Sequence, residues 1–451
     1  MFFFVTIGLF VNYISLKLAF SRSHSNSPTI DSKVFEEFSR ILLSKDDTHS
    51  LPAVLVDLNS FDRNIALLRY QMSSHPETTI RIASKSLRVP YLLQRILSSG
   101  LPFKGLMCYA VGEAQFLSSL GFDDLLIAYP SQQLSEYRIL RDLHDHQNKT
   151  VSIVVDHPKS INELNDYMKG ISRPFPVILE FDVSFRALGG RIHIGARRSP
   201  IRTIAQLIEM IEFIQQLPYL HLEGLMVYES HIAGIGDTNP NHFWLNPLIR
   251  YVKRMSMSQI QQLRREMKQL CSKYGLNLLN GGGTGSLMAA LEETTVLTEI
   301  TIGSGFFQPH LFDHYQQNLA MIDHFHSAFV PSCYFALPIV RISDEGEWVT
   351  CAGGGYVASG RPGWDKVPLP VFPVGLSLND SEGAGEVQTP LRIDPNLKNE
   401  TMNFFEQNRV AYFRHAKAGE LAERFNFFFL VDGGHIIEIV KTYRGYGQCF
   451  F

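Results

Sequence analysis

The sequence predicts an α/β chain, a (β/α)8 barrel followed by a mostly antiparallel β domain. Two observations carry this. Between residues 80 and 305, eight continuous apolar runs alternate with segments of helical periodicity. Past about residue 315 the helical patterns give way to short strands set apart by Gly, Pro and Asp turns. Parallel strands covered on both faces read as unbroken apolar runs, and strand–helix alternation builds a parallel sheet. Eight such units fit a closed barrel better than an open sheet.

Composition sets the outer bounds. A chain of 451 residues has room for two or three domains. With 45% hydrophobic and 19% charged residues it describes a globular protein with a real core. A formal net charge of -3 gives no basis for nucleic-acid binding. The cysteines, Cys108, Cys271, Cys333, Cys351 and Cys449, have no paired spacing, so they form neither a disulfide framework nor a zinc motif.

In chain order, MFFFVTIGLFVNYISLKLAF is apolar as far as Leu16. It lacks the basic residues that precede a signal-peptide core, and it is short for a span of about 20 apolar residues. A signal peptide or anchor and an uncleaved extension stand as equal readings. The compartment is accordingly cytoplasmic or secretory-pathway, and any membrane contact runs through this segment. Sequons at Asn148 and Asn399 matter only in the secretory case. SRSHSNSPTID (21–31) is a polar linker, and SKVFEEFSRILLS has helical spacing with Asp31 or Ser32 as N-cap. Residues 1–50 thus form an N-terminal segment, linker and helix.

Residues 51–314 hold the barrel and 315–451 the β domain. The barrel strands are IRIASK (80–85), GLMCYA (105–110), DLLIAYP (124–130) and VSIVVD (151–156), then PVILEFDV (176–183), LEGLMVYE (222–229), LNLLNGGG (276–283) and EITIGSG (299–305). If the barrel starts at Ile80, the strand at 52–58 in LPAVLVDL is surplus, and its expected place is the β domain. Within that domain, VDGGHIIEIV reads as a hairpin around Gly433 and Gly434.

Chemistry concentrates at the strand ends, where barrels keep their active sites. IRIASKSLRVP places Lys85 at the end of the first barrel strand. A lysine there either reaches solvent or forms a Schiff base with a carbonyl compound such as pyridoxal phosphate. The last two strands end in glycine turns, Gly281-Gly282-Gly283-Thr284 and Gly303-Ser304-Gly305. Such turns let backbone N–H groups approach an anion, and the loops after strands 7 and 8 are where barrels hold phosphate. Arg186 or Arg191, after LEFDV, is placed to face the cofactor's pyridine nitrogen, or else to pair with Glu180 or Asp182. An arginine partner keeps that nitrogen unprotonated, because guanidinium does not release its proton. Tyr228 stacks or hydrogen-bonds at the mouth. In the β domain, His415 and Lys417 stand at i and i+2, which on a strand share one face. Such a pair binds a metal or positions a substrate.

LPAVLVDL, RIASKSLRVP, DLLIAYPS, NGGGTGS and RHAKAGE resemble the alanine-racemase-like, fold type III pyridoxal phosphate enzymes. The resemblance is to the D-threonine aldolase and D-serine dehydratase-like branch and spans roughly residues 51–451. It implies a pyridoxal phosphate barrel with a β domain, usually as a homodimer acting on a small amino acid. Lys85 would hold the cofactor and then act as base on Cα, and the two glycine turns would hold the phosphate. It implies dehydration or retro-aldol cleavage of D-3-hydroxy amino acids, with amino-acid racemisation and a non-catalytic pyridoxal phosphate carrier as the alternatives. The branch uses a divalent metal held by His-x-Cys or His-x-Asp. Here the pair is His415-Ala-Lys417, and an ammonium has no lone pair to give a metal. The expectation is therefore no metal, with His415 as the one ligand if a metal is present. Lys417, oriented by Glu420, would then act on the substrate.

Overall fold

β1 (Ala53–Asp57) is buried along its apolar length and ends on Asp57, whose carboxylate accepts a hydrogen bond from the Ser60 N–H and so caps the helix Leu58–Met72. The computed structural model describes residues 32–43, 50–187, 191–239, 243–315 and 329–450. The apolar N-terminal stretch, the polar linker and Asp31 lie outside them. Among the described residues, no helix is long and apolar enough to cross a membrane.

The barrel follows. Its first five strands are β2 (Thr79–Ala83), β3 (Phe103–Cys108), β4 (Leu125–Ile127), β5 (Val151–Val155) and β6 (Phe175–Glu180). A small antiparallel hairpin, β7 (Phe185–Ala187) and β8 (Ile192–Ile194), interrupts the alternation. β9 (Leu220–Val227), β10 (Leu278–Gly281) and β11 (Glu299–Ile302) complete the wall, and β11 pairs in parallel with β2 to close it. All eight apolar runs named from the sequence supply a barrel strand. The lumen is packed by Leu126, Ala128, Val154, Ile178 and Met226. Near the start of the strands, buried Arg81 bridges Asp124 and Glu299, each at 2.7 Å, and Asn280 donates to Glu299 at 2.7 Å. This ionic plug satisfies itself within the wall, as buried charges must.

The helix before β10 is longer than its sequence pattern alone suggests, running from Asn246 to Tyr274 and ending on Gly275 at φ +69°. The helix Ile204–Gln215 starts from a reciprocal capping box between Thr203 and Gln206.

The second domain is a sheet of β12 (Cys333–Ile342), β13 (Trp348–Ala352), β14 (Leu369–Phe372), β15 (Leu376–Leu378), β16 (Gln388–Ile393), β17 (Val410–Arg414), β18 (Phe427–Asp432) and β19 (His435–Lys441), joined by β1. β1 lies between β12, to which it is antiparallel, and β18, to which it is parallel. It has no neighbour in the barrel wall. β18 and β19 form a hairpin that turns on Gly433 and Gly434, with Asp432 opposite His435. The helix Ser32–Leu42 covers the sheet, stacking Phe35 on Phe372 at 4.9 Å and setting it edge-on to Tyr334 at 5.1 Å. Among the described residues, one α-helix, Lys398–Asn408, interrupts this half, which the sequence reads as mostly antiparallel strands.

Candidate active site at the barrel mouth

Lys85 sits in a single 3₁₀ turn, Ser84–Ser86, directly after β2. Two segments clamp that turn. Arg88, at φ +55°, donates from Nε to the Lys85 carbonyl at 3.1 Å, reaches Glu423 of the β domain at 2.7 Å and lies 5.2 Å over the Tyr109 ring. Gly419, also from the β domain, donates its N–H to the Ser86 carbonyl at 2.9 Å. A Cβ at Gly419 would lie 1.8 Å from the Lys85 carbonyl oxygen, so only glycine permits this approach. The barrel turn and the β domain thus fix the lysine backbone jointly.

The Lys85 side chain is open to solvent, yet protein surrounds it on most sides, as for a group standing in a concave mouth. Its ammonium is held down at about 8, first by burial and then by repulsion from Arg198, Lys417 and Arg88; Glu113 acts the other way. An amine near neutrality is the form that attacks a carbonyl.

The arginine of this mouth is Arg198. Its Nε is hydrogen-bonded to Glu180 at the end of β6; Nη2 donates to the Ala128 carbonyl at 3.1 Å and Nη1 to the Tyr129 hydroxyl at 3.2 Å. It lies 4.8 Å over the Tyr129 ring and 6.0 Å from that of Tyr228. The sequence expectation names Arg186 or Arg191 for this place. Arg186 is on β7 and pairs with Asp182 at 3.2 Å, and Arg191 is exposed at the hairpin. The pairing of arginines with Glu180 and Asp182, weighed as the alternative, is what the structure shows, with Arg198 on the first and Arg186 on the second. Tyr228 is half-buried at the end of β9, and burial pushes its hydroxyl up to about 12, so it stays protonated.

The two glycine turns come together. Gly305 donates its N–H to Thr284 Oγ1 at 3.1 Å, and the Ser304 and Ser86 hydroxyls stand 3.5 Å apart. Each turn opens a short 3₁₀ helix, whose first N–H groups have no acceptor of their own within it. Gly283 faces Tyr228, and a Cβ there would fill the gap, 3.2 Å from the ring. A phosphate fits this cradle, with Lys85 on the adjoining turn.

Two residues behind the cradle escaped the sequence reading. Glu229 accepts from the Ser286 hydroxyl at 2.6 Å and from the Gly282 N–H at 3.3 Å, and it is ion-paired with Arg264. Arg264 is fully buried, also binds Glu293 at 2.6 Å and donates to the Val227 carbonyl at 3.0 Å. The signal for Glu229 was its place after Tyr228. Nothing marked Arg264 among the charges of its long helix.

Glu113 is the other buried acid near Lys85. It accepts from the Tyr109 N–H at 2.7 Å and from the Tyr443 hydroxyl at 2.8 Å. Burial raises its carboxyl to about 7, with those hydrogen bonds and Arg88 acting against the rise. A raised carboxyl means that the folded state holds its proton more tightly than the unfolded chain. That stabilisation is present below the ordinary value of 4.5 and is lost as pH rises from there through 7, about 3 kcal/mol in all. Glu113→Gln should flatten this slope. Urea unfolding of the two proteins between pH 5 and 8 should diverge, and parallel curves would contradict the assignment.

His415 and Lys417 differ in exposure. β17 ends at Arg414, so the strand rule that put both on one face does not apply. His415 is 3% exposed, packs edge-on to Phe307 at 6.0 Å and lies beside the Cys333 backbone, and among the described residues neither ring nitrogen makes a well-formed hydrogen bond. Burial, with Arg414 and His310 beside it, holds it at about 3, so it is neutral. Lys417 is half-exposed and binds Glu420 at 3.2 Å and the Ser359 hydroxyl at 3.1 Å. The Glu420 contact is the one the sequence suggested. This donor set does not fit a divalent ion, since one buried imidazole and an ammonium offer a single lone pair. Among the described residues no group of three or more His, Cys, Asp or Glu is placed to hold a metal.

With this geometry in place, the chain can be compared with known proteins. The family defined by the N-terminal domain of alanine racemase matches residues 56–307, more than half of the chain. The chain belongs to the alanine racemase N-terminal domain family. This member of the alanine racemase family therefore joins the fold type III pyridoxal phosphate enzymes. A comparison with curated protein sequences returns no match. Among solved structures, D-threonine aldolase from Filomicrobium marinum is similar at TM-score 0.70 and 18% identity, covering 89% of this chain and 97% of that one. D-threo-3-hydroxyaspartate dehydratase from Delftia sp. HT23 is similar at TM-score 0.65 and 15% identity, covering 88% and 98%. An alanine-racemase-like protein from Idiomarina loihiensis follows at TM-score 0.63 and 14% identity, covering 88% and 97%. At these identities the likeness establishes the shared fold of barrel plus sheet. The family model is that of the N-terminal domain and ends at Phe307, before the β domain in which the His415–Lys417 segment lies.

Proposed function

We propose that this protein is a pyridoxal phosphate-dependent lyase that acts on D-3-hydroxy amino acids, by dehydration and deamination or by retro-aldol cleavage. The observation that carries the reading is Lys85, an amine held at about 8 at the end of the first barrel strand, beside the joined glycine turns. Lys85 would anchor the cofactor, Gly281–Thr284 and Gly303–Gly305 its phosphate, and Arg198 rather than Arg186 would be the arginine that attends its ring. When bound, the cofactor supplies an electron sink for the pair left at Cα.

The protein's own residues do the rest. Lys85, freed by substrate, takes the Cα proton, and its low pKa keeps a useful fraction unprotonated at neutral pH. Arg198 stays charged throughout, locked on Glu180. Lys417, held by Glu420 and Ser359, donates a proton to the departing hydroxyl. It stands in for the metal, which the donor set does not suit.

The deciding experiment is a screen of D- and L-amino acids for keto acid, aldehyde or racemised product, with and without EDTA. The expected result is keto acid or aldehyde from a D-3-hydroxy amino acid, unaffected by chelator. Lys417→Ala should cost about 10²-fold in turnover while Lys85 still takes cofactor. Racemised product would place the chain with the racemases. EDTA inhibition reversed by zinc or manganese would restore the metal.

A further inference from the structure

A cavity of about 380 Å³ opens between the loop 356–359 and the segment 415–424. Arg88, Ser359, His415, Lys417, Glu420 and Arg424 are in its wall. It adjoins the active lysine. Arg88 binds the Lys85 carbonyl, and the segment's Gly419 binds the carbonyl of Ser86.

The cavity's acids are already engaged. Glu423, also in the wall, is paired with Arg88 at 2.7 Å. Glu420 accepts from the Ser359 N–H at 2.8 Å, from its hydroxyl at 2.6 Å and from Lys417 at 3.2 Å. What is left over is mostly donor, the one lone pair of the neutral His415 ring excepted. Arg424 is exposed, and among the described residues it has no carboxylate at ion-pair distance. Lys417 has three N–H groups and two partners. His415 is nearly fully buried beside the Cys333 backbone, and among the described residues neither ring nitrogen makes a well-formed hydrogen bond, an arrangement that a ligand arriving in the cavity would relieve. A guanidinium fork, an ammonium and an imidazole N–H together match a carboxylate and repel a metal cation.

We propose that this cavity is a subsite for a second carboxylate, carried on the side chain of the amino acid substrate. The substrate class is then the acidic D-3-hydroxy amino acids. This deepens the lyase reading and rests on it for the substrate, but the anion site itself can be tested without turnover.

The test uses the full-length protein loaded with pyridoxal phosphate and titrated calorimetrically with malonate and with acetate. Malonate should bind at least tenfold more tightly than acetate. Arg424→Gln, at an exposed position, should weaken malonate at least fivefold while borohydride still labels Lys85. Equal affinities for the two acids, or an Arg424→Gln protein that binds malonate as before, overturn the proposal. So does stoichiometric zinc binding that His415→Ala abolishes. If malonate behaves as expected and Lys85 takes no label, the anion site stands and the cofactor reading falls.

Discussion

Lys85→Ala is expected to yield a folded protein that holds no cofactor covalently and has lost at least about 10³-fold in turnover. Two roles vanish with one side chain, the attachment of the cofactor and the base that removes the Cα proton. The fold should survive. The turn is fixed by contacts from Arg88 and Gly419 to its backbone, and the Lys85 side chain projects into the solvent-filled barrel mouth. Borohydride reduction and peptide mapping of the wild type should find the pyridoxyl group on Lys85, and the variant should carry none. The thermal unfolding curve of the unloaded variant should match that of unloaded wild type. A label on another lysine, or turnover within tenfold of wild type, would remove the basis of the proposed function.

The second large effect concerns stability. Arg264→Ala removes the cation that bridges Glu229 and Glu293, both buried, and leaves each carboxylate without its ion-pair partner. Breaking a buried pair in this way costs about 3–5 kcal/mol. The damage also reaches the site, because Glu229 holds Gly282 and Ser286 in the phosphate cradle. Urea unfolding should show the loss, and cofactor affinity should fall at temperatures where the variant is still folded. A loss under about 1 kcal/mol, with affinity unchanged, would mean that the network is dispensable.

Much of the fold was legible because burial on both faces leaves a plain mark. Runs such as VSIVV and FPVILE have no polar side of their own, so they read as barrel strands wherever they sit. The surplus of LPAVLVDL was visible from counting, since a closed wall has no ninth place. Lys85 and the glycine turns were legible because strand ends are where such residues act. Arg198 was not. It stands in RIHIGARRSP, among arginines in an irregular stretch, and only the return of the chain across β6 brings it onto Glu180. The strand rule behind the His415 and Lys417 pairing failed for a similar reason, although both line one cavity. Period-2 reasoning holds only inside a strand, and β17 stops one residue short of His415.

The position of β1 has a consequence for how this chain is made. β1 is among the first described segments to leave the ribosome, yet both of its neighbours, β12 and β18, come from the far side of the barrel. In effect the barrel is a guest inserted into a host sheet, between that sheet's first strand and the rest. The guest can close on itself during synthesis, since β11 meets β2 before any of β12 to β19 is translated. The host must wait, with β1 presenting apolar faces and two unpaired backbone edges until β18 emerges some 370 residues later. Contacts that far apart in sequence form slowly, and unpaired edges in the interim invite aggregation. A cut near residue 315 would therefore not divide the protein into two folding units. The carboxy-terminal piece would lack its central strand, and the amino-terminal piece would carry that strand with nothing to pair it.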